Sequence, residues 1–410
     1  MIFCRLFILC LLLLFAAPAF ADLNPGQLNL LGKKAFDAGR YLEALDYLRR
    51  ASQGNPYDET IRRNLAEGML AASRQLAEGG RWDEAVKLLR EGEERYGDDI
   101  RFPLFLAENL LALDRTAEAE VELGQALGID PDSAMAKTLL GRVYYRTGRL
   151  RDAIDIWRQA AAARPDDANL ADMLAKAERE YRVEADMERD YAPGFVLSYD
   201  GEIHADIGRQ ILDVLNDAYI DIGGYFSYFP QKKVEVLLYT SRDFSETTKS
   251  PDWAGGLYDG KVRIPLGGVH EISPHLRALL YHEYAHVVVR GLARGRCPTW
   301  LNEGIAEVME RSQFDPPLRY LPRAEKLIPF ARLAGNWGSL PAQQARLAYE
   351  QSYSFVRYLG EYYGWYLVGD LLAGYAQGES TEEVFARVFG SYGLDFAALQ
   401  NNWRQSLGRF

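Results

Sequence analysis

Tyr281-His282-Glu283-Tyr284-Ala285-His286 is the stretch of this chain in which residue types and spacing name a chemistry. Two histidines at i and i+4 on a helix lie one turn apart on nearly the same face. Imidazoles so placed can grip one Zn²⁺ at roughly 2.0–2.1 Å each. Glu283 is turned by about 100°, beside such an ion, where it can take a proton from zinc-bound water. The plainer alternative is a buried helix with two hydrogen-bonded histidines. With only 5 histidines in 410 residues, however, a pair at this spacing seldom arises by chance.

Around the pair, the sequence predicts a helix opened by Ser273 as N-cap and Pro274 in the first turn, and stopped near Gly291. Leu276, Leu279, Leu280, Ala285 and Val287-Val288-Val289 make it apolar on most sides, so it should be central. Histidines in such a helix are costly unless something binds them. A third ligand is on offer in Pro298-Thr299-Trp300-Leu301-Asn302-Glu303-Gly304-Ile305-Ala306-Glu307. Pro298 or Thr299 can start a second helix with Glu303 and Glu307 on one face. A carboxylate from a neighbouring helix would complete a His₂Glu site with a fourth position open for water. A solvated face is the bland reading of these glutamates, but their apolar neighbours argue for burial.

These two segments together resemble the gluzincin metallopeptidases. The resemblance covers roughly residues 190–410 and implies Zn²⁺, one per chain, on His282, His286 and Glu303, with Glu283 as general base. It also implies Glu307 as a support to a ligand histidine, and a tyrosine after the third ligand that stabilises the oxyanion, for which Tyr353 or alternatively Tyr349 is available. The sixteen residues between His286 and Glu303 leave the subfamily open.

The elements that must position these residues begin after Ala192-Pro193-Gly194. Phe195–Tyr199 and Val234–Tyr239 read as strands, and residues 203–229 as a helix between them. Residues 255–265 read as a hairpin turning at Asp259-Gly260. Its glycines Gly255 and Gly256 either allow an extended peptide to approach an edge strand or serve only a turn. Residues 348–359, from about 381 to 388 and 396 to 407 read as packing helices. His275 reads as a first-turn residue facing water, and Cys297 as a small buried residue rather than a fourth ligand or redox switch. His204 and His270 have no recognisable partner.

The first half differs. Gly39-Arg40-Tyr41, Gly80-Arg81-Trp82, Asp114-Arg115-Thr116 and Gly148-Arg149-Leu150 mark equivalent turns, each followed by an alanine (Ala44, Ala85, Ala117 in a slipped frame, Ala153). The last two intervals are 34 residues, as is that between Pro131 and Pro165. The pattern resembles tetratricopeptide repeats. The first interval is longer by seven, which requires an extended helix or an inserted loop. Stacked helix pairs form a curved solenoid that usually holds a protein partner. The charged run Glu178–Asp190 reads as a capping helix and linker.

Residues 1–21 read as a signal peptide: Arg5, an apolar run from Leu6 to Phe15, and Ala19-Phe20-Ala21 before Asp22. An uncleaved anchor is the alternative. Cleavage removes Cys4 and Cys10, so no internal disulfide is expected. A net charge of −11 argues against non-specific nucleic-acid binding.

The expectation is therefore an α+β chain. It comprises a signal peptide (1–21), a tetratricopeptide-type α-solenoid (22–190), and a mostly helical gluzincin-like metallopeptidase domain with a small sheet (191–410). The expected partners are a peptide or protein substrate and a protein on the solenoid, without nucleic acid and without a stable membrane span after cleavage. The expected location is the periplasm or the exterior. A silent binding scaffold and a zinc amidase on a non-peptide, cell-wall substrate are the alternatives.

Overall fold

The computed structural model describes residues 23–407 apart from 186, 200–204, 249–256, 259, 267–268, 270 and 339. The predicted signal peptide, His204, His270, Gly255, Gly256 and Asp259 lie outside the described residues.

The chain begins as paired helices: α1 (Pro25–Asp37) with α2 (Tyr41–Gly54), α3 (Glu59–Glu78) with α4 (Trp82–Arg95), α5 (Arg101–Ala112) with α6 (Thr116–Ile129), and α7 (Ala134–Arg146) with α8 (Leu150–Ala163). A closing helix, α9, spans Ala168–Glu184. Each pair turns through a left-handed residue: Gly39, Gly80, Asp114 and Gly148 have φ of 74°, 78°, 57° and 74°. Glycine adopts this conformation without penalty, and aspartate is among the few other residues that tolerate it. One turn later Ala44, Ala85, Ala119 and Ala153 are all fully buried. The third repeat is therefore in frame at Ala119, and the expected slip at Ala117 is not there. The longer first interval is a longer helix, since α3 has 20 residues against 12 in α5.

The second half holds a five-stranded sheet in the order β1-β2-β3-β5-β4. Its strands are β1 (Glu188–Tyr191), β2 (Phe195–Tyr199), β3 (Val234–Tyr239), β4 (Leu257–Tyr258) and β5 (Val262–Pro265). β2, β3 and β5 run parallel, β1 and β4 antiparallel at the edges. Strand β1 corrects the expectation of a linker after the capping helix: Glu188–Tyr191 pairs with β2 instead. The helices are α10 (Ala205–Phe226), α11 (Ser241–Thr248), α12 (Pro274–Ala293), α13 (Thr299–Gln313), α14 (Phe330–Leu333), α15 (Ala342–Tyr363), α16 (Trp365–Ala376), α17 (Thr381–Phe389) and α18 (Phe396–Leu407). One face of the sheet and most of these helices share one core, separate from that of the repeats, while Leu237 and Tyr239 of β3 and Phe244 of α11 form a smaller cluster with Met187 and Val183. No helix among the described residues is long and apolar enough to cross a membrane.

The two halves touch along the turns of the repeats. A Cβ on Gly80 would lie 3.0 Å from Gly378 Cα, and one on Gly148 2.9 Å from the Glu235 carboxylate. Asp83 pairs with Arg294 and Asp114 with Lys232, each at 3.8 Å. Further along, Arg263 of β5 lies buried 3.2 Å from Glu180 of α9, and Lys261 is 3.1 Å from Glu184.

Candidate metal centre

Helix α12 starts as expected, with Ser273 Oγ accepting from the Leu276 N–H. It does not stop at Gly291. A side chain there would meet the Tyr228 hydroxyl at 2.2 Å, so that glycine is a packing notch within the helix. The helix ends at Arg294 and Gly295, with φ of 50° and 72°. Buried Tyr281, Tyr284, Ala285, Val288 and Val289 fix its rotation within the core.

Helix α13 follows Pro298 and packs against α12. Gly304 allows α15 against its other side, since a Cβ there would lie 2.7 Å from the Ser352 carbonyl oxygen. Polar partners run in opposite order along α12 and α13: His286 meets Asn302, and His282 meets Glu310. The helices are thus antiparallel, and Glu303 falls between the imidazoles.

His282 Nε2 and His286 Nε2 each lie 3.7 Å from Glu303 Oε2. The other nitrogen of each ring is engaged. His282 Nδ1 donates to Glu310 Oε2 at 2.7 Å, and His286 Nδ1 to Asn302 Oδ1 at 3.1 Å. These bonds leave both Nε2 lone pairs aimed at the space before Glu303. A tetrahedral ion at about 2.0–2.1 Å from its ligands holds them about 3.3–3.5 Å apart, close to the spacing here. Glu283, Glu303, Glu307 and Glu310 crowd this space, with the Arg311 guanidinium beside Glu307. Such a donor set fits a divalent cation.

The titrating groups respond to that crowding. Burial pushes the Glu283 carboxyl up to about 7. Its Oε2 is buried without a hydrogen-bond partner. Burial alone would lower His282, but the carboxylates of Glu303 and Glu310 outweigh it and hold it well above the usual imidazole range. His286 is lowered by burial. Burial would raise Glu303, but the two imidazoles hold it below the usual carboxylate range.

Two expectations change. Glu307 does not hold a histidine: its Oε2 accepts from Arg311 Nε at 3.1 Å, and Glu310, two turns beyond Glu303, takes that place. Tyr353 is turned from the site, accepting from Arg357 Nη1 at 3.0 Å with Arg311 over its ring. Tyr349, one turn earlier, feels Glu303, Glu307, Glu283 and Glu310, and burial first and then these charges raise its phenol. Cys297 is half-buried, belongs to neither cluster of donors, and has its thiol raised by burial. His275 is exposed, its ring edge on Phe314. Asn302 and Glu310 were the functional candidates missed. Glu310 was legible as the i+7 neighbour of Glu303 on the same face.

Residues 217–409 match the model of the Peptidase MA superfamily. The C-terminal half carries a Peptidase MA superfamily domain. Residues 110–177 match a tetratricopeptide repeat model, so this domain follows tetratricopeptide repeats. A TPR repeat-containing protein of Pseudomonas aeruginosa is 28% identical over 191 residues, which span 46% of this chain and 31% of that protein. The match thus reaches under a third of the relative's length. Among solved structures, MamA of Desulfovibrio magneticus is 20% identical, with a TM-score of 0.33, over 38% of this chain and 84% of its own. The first tetratricopeptide domain of Spaghetti, solved with an HSP90 peptide, is 17% identical, with a TM-score of 0.28, over 28% of this chain and 93% of its own. Mostly helical, with repeats before a small sheet, the chain has the expected fold class.

Proposed function

We propose that this chain is an exported zinc metallopeptidase whose repeats dock a substrate or partner protein. The observation that carries the reading is the convergence of two imidazole Nε2 atoms on one Glu303 oxygen at 3.7 Å, with both Nδ1 atoms engaged elsewhere. The match of residues 217–409 to the Peptidase MA superfamily supports it.

His282, His286 and Glu303 would hold the ion. Bound there, zinc supplies a Lewis acid that polarises water and the peptide carbonyl. Glu283 takes the proton from the attacking water and returns it to the leaving amine. Burial and an oxygen without any other partner leave this carboxyl free for both transfers. Glu310 and Asn302 keep the rings turned with Nε2 inward. The Tyr349 phenol, kept protonated first by burial and then by the carboxylates around it, donates to the developing oxyanion. Export rests on residues 1–21.

The test is metal content of the mature protein by mass spectrometry, wild type beside His282→Ala, with a peptide-library digest by wild type and Glu283→Gln. The expected result is one zinc per wild-type chain, loss in His282→Ala, and cleavage by wild type alone. Metal-bound wild type that cleaves no peptide would overturn hydrolysis of peptides and leave a scaffold or a non-peptide amidase.

A further inference from the structure

On this acidic chain, a row of arginines leads away from the candidate metal centre. Arg290 follows His286 by one turn of α12, about 6 Å along the axis. Its guanidinium lies over the ring of Tyr258 in edge strand β4, 5.9 Å from the centroid. The neighbouring Gly291 packs on Tyr228, and the nearby Lys232 pairs with Asp114 of the repeats. These contacts bring the turn after α5 beside the end of α12. There Arg146 donates to the Leu111 carbonyl at 2.6 Å, and Arg142 stands one turn before it. Arg74 of α3 continues the row, over Phe105 of α5 at 5.1 Å. None of Arg74, Arg142, Arg146 and Arg290 has a carboxylate in ion-pair distance among the described residues; Arg62, Arg63, Arg95 and Arg151 share this, while Arg90, Arg101, Arg115 and Arg149 are paired. Glu108 lies among them, half-buried and closest in charge to Arg142 and Arg74. Arg146 is lowered by burial and then by Arg142 and Arg290, so these cations repel one another.

We propose that this row is the binding track for an acidic stretch of the polypeptide substrate, running from the centre over Arg290 onto the face formed by α3, α5 and α7. It deepens the peptidase reading above and rests on it for the word substrate. An extended chain covers about 3.3 Å per residue, so an acid about two residues from the scissile bond reaches Arg290. Acids further along meet Arg146 and Arg142. Complementary charge of this kind sets partner choice and encounter rate.

The experiment uses the full chain carrying Glu283→Gln, so that no peptide is consumed. Fluorescence anisotropy compares labelled peptides with one shared centre and a flank of glutamates, glutamines or lysines. The glutamate flank should bind about tenfold tighter than the glutamine flank, with the difference shrinking as salt rises. Arg142→Gln with Arg146→Gln, and separately Arg290→Gln, should each erase most of that preference, while lysine replacements retain it. Circular dichroism and metal content, unchanged in the variants, exclude misfolding. Equal binding of all flanks overturns the proposal. So does a preference that survives loss of the arginines, or capture of phosphatidylglycerol vesicles with no binding of the acidic peptide. If the preference fails while peptides are still cleaved, the metallopeptidase reading stands without this track.

Discussion

Two groups of carboxylates are buried in this chain, and different cations stand opposite them. Where α9 meets the sheet, Glu180 and Glu184 face Arg263 and Lys261, and the hydroxyls of Tyr145 and Tyr239 donate to them at 2.7 and 2.5 Å. Between α12 and α13, Glu283, Glu303, Glu307 and Glu310 face two imidazoles and Arg311. The first group is matched by the chain's own permanent cations and ties two halves together. The second is matched only when an ion or a proton is supplied. Buried charge by itself therefore does not mark a functional site. Buried charge left for a ligand to balance does: an oxygen of Glu180 and one of Glu283 both lack a hydrogen-bond partner, but only Glu180 has a buried guanidinium within 3.2 Å.

Five substitutions probe that contrast. Glu283→Gln is expected to lower peptide turnover by about 10²–10⁴-fold, the range for a general base, with zinc content unchanged in mass spectrometry. Turnover at the wild-type rate would remove Glu283 from the chemistry. Arg263→Met at the junction leaves Glu180 and Glu184 without their buried guanidinium and should cost about 3–5 kcal/mol in denaturant unfolding. Glu303→Gln, measured in chelator, should cost less, because the imidazole opposite Glu303 can give up its proton when the carboxylate is lost, whereas a guanidinium cannot. Equal losses from the two substitutions would erase the distinction between the clusters. Glu310→Gln keeps the shape but weakens the hold on His282 Nδ1, and zinc affinity should fall about 10–100-fold in a competition titration. Glu307→Gln, at the residue that pairs with Arg311, should fall less.

The same contrast explains what could be read in advance. The histidine pair, Glu283 and Glu303 were legible because helical spacing alone puts them on usable faces. The repeats were legible for a related reason: one local pattern of left-handed turn, arginine and buried alanine recurs four times. Even the apparent irregularity at Ala117 dissolves once Ala119 is counted from Arg115, as Ala44 is from Arg40. What was not legible depends on how distant elements cross. Which glutamate reaches His282 follows from the antiparallel run of α13. Which tyrosine faces the acids follows from the approach of α15 at Gly304. Glu188-Arg189-Asp190-Tyr191 has little strand character of its own and is extended because β2 offers an edge.

The smallest effect lies within the repeats, where a third pair of carboxylates blurs the contrast. Glu93 of α4 faces Glu122 of α6, with a buried unpartnered oxygen on each, and Arg90 lies 3.6 Å from Glu122. Burial first, then the Glu122 charge, pushes the Glu93 carboxyl from its ordinary 4.5 up to about 7. An acid raised on folding holds its proton longer in the folded chain than in the unfolded one. Its favourable contribution is then complete below about 4.5 and is lost as pH rises through about 7. Glu93 is partly open to solvent, so the effect should be on the order of 1 kcal/mol. Glu93→Gln, which keeps the hydrogen bond to Glu122 without the proton's lability, should flatten this dependence. Its melting temperature should match that of wild type at pH 5 and exceed it at pH 8. A wild-type melting curve that holds level from pH 5 to 8, or falls equally in the glutamine variant, would place the Glu93–Glu122 pair with the self-neutralised junction rather than with the crowded centre.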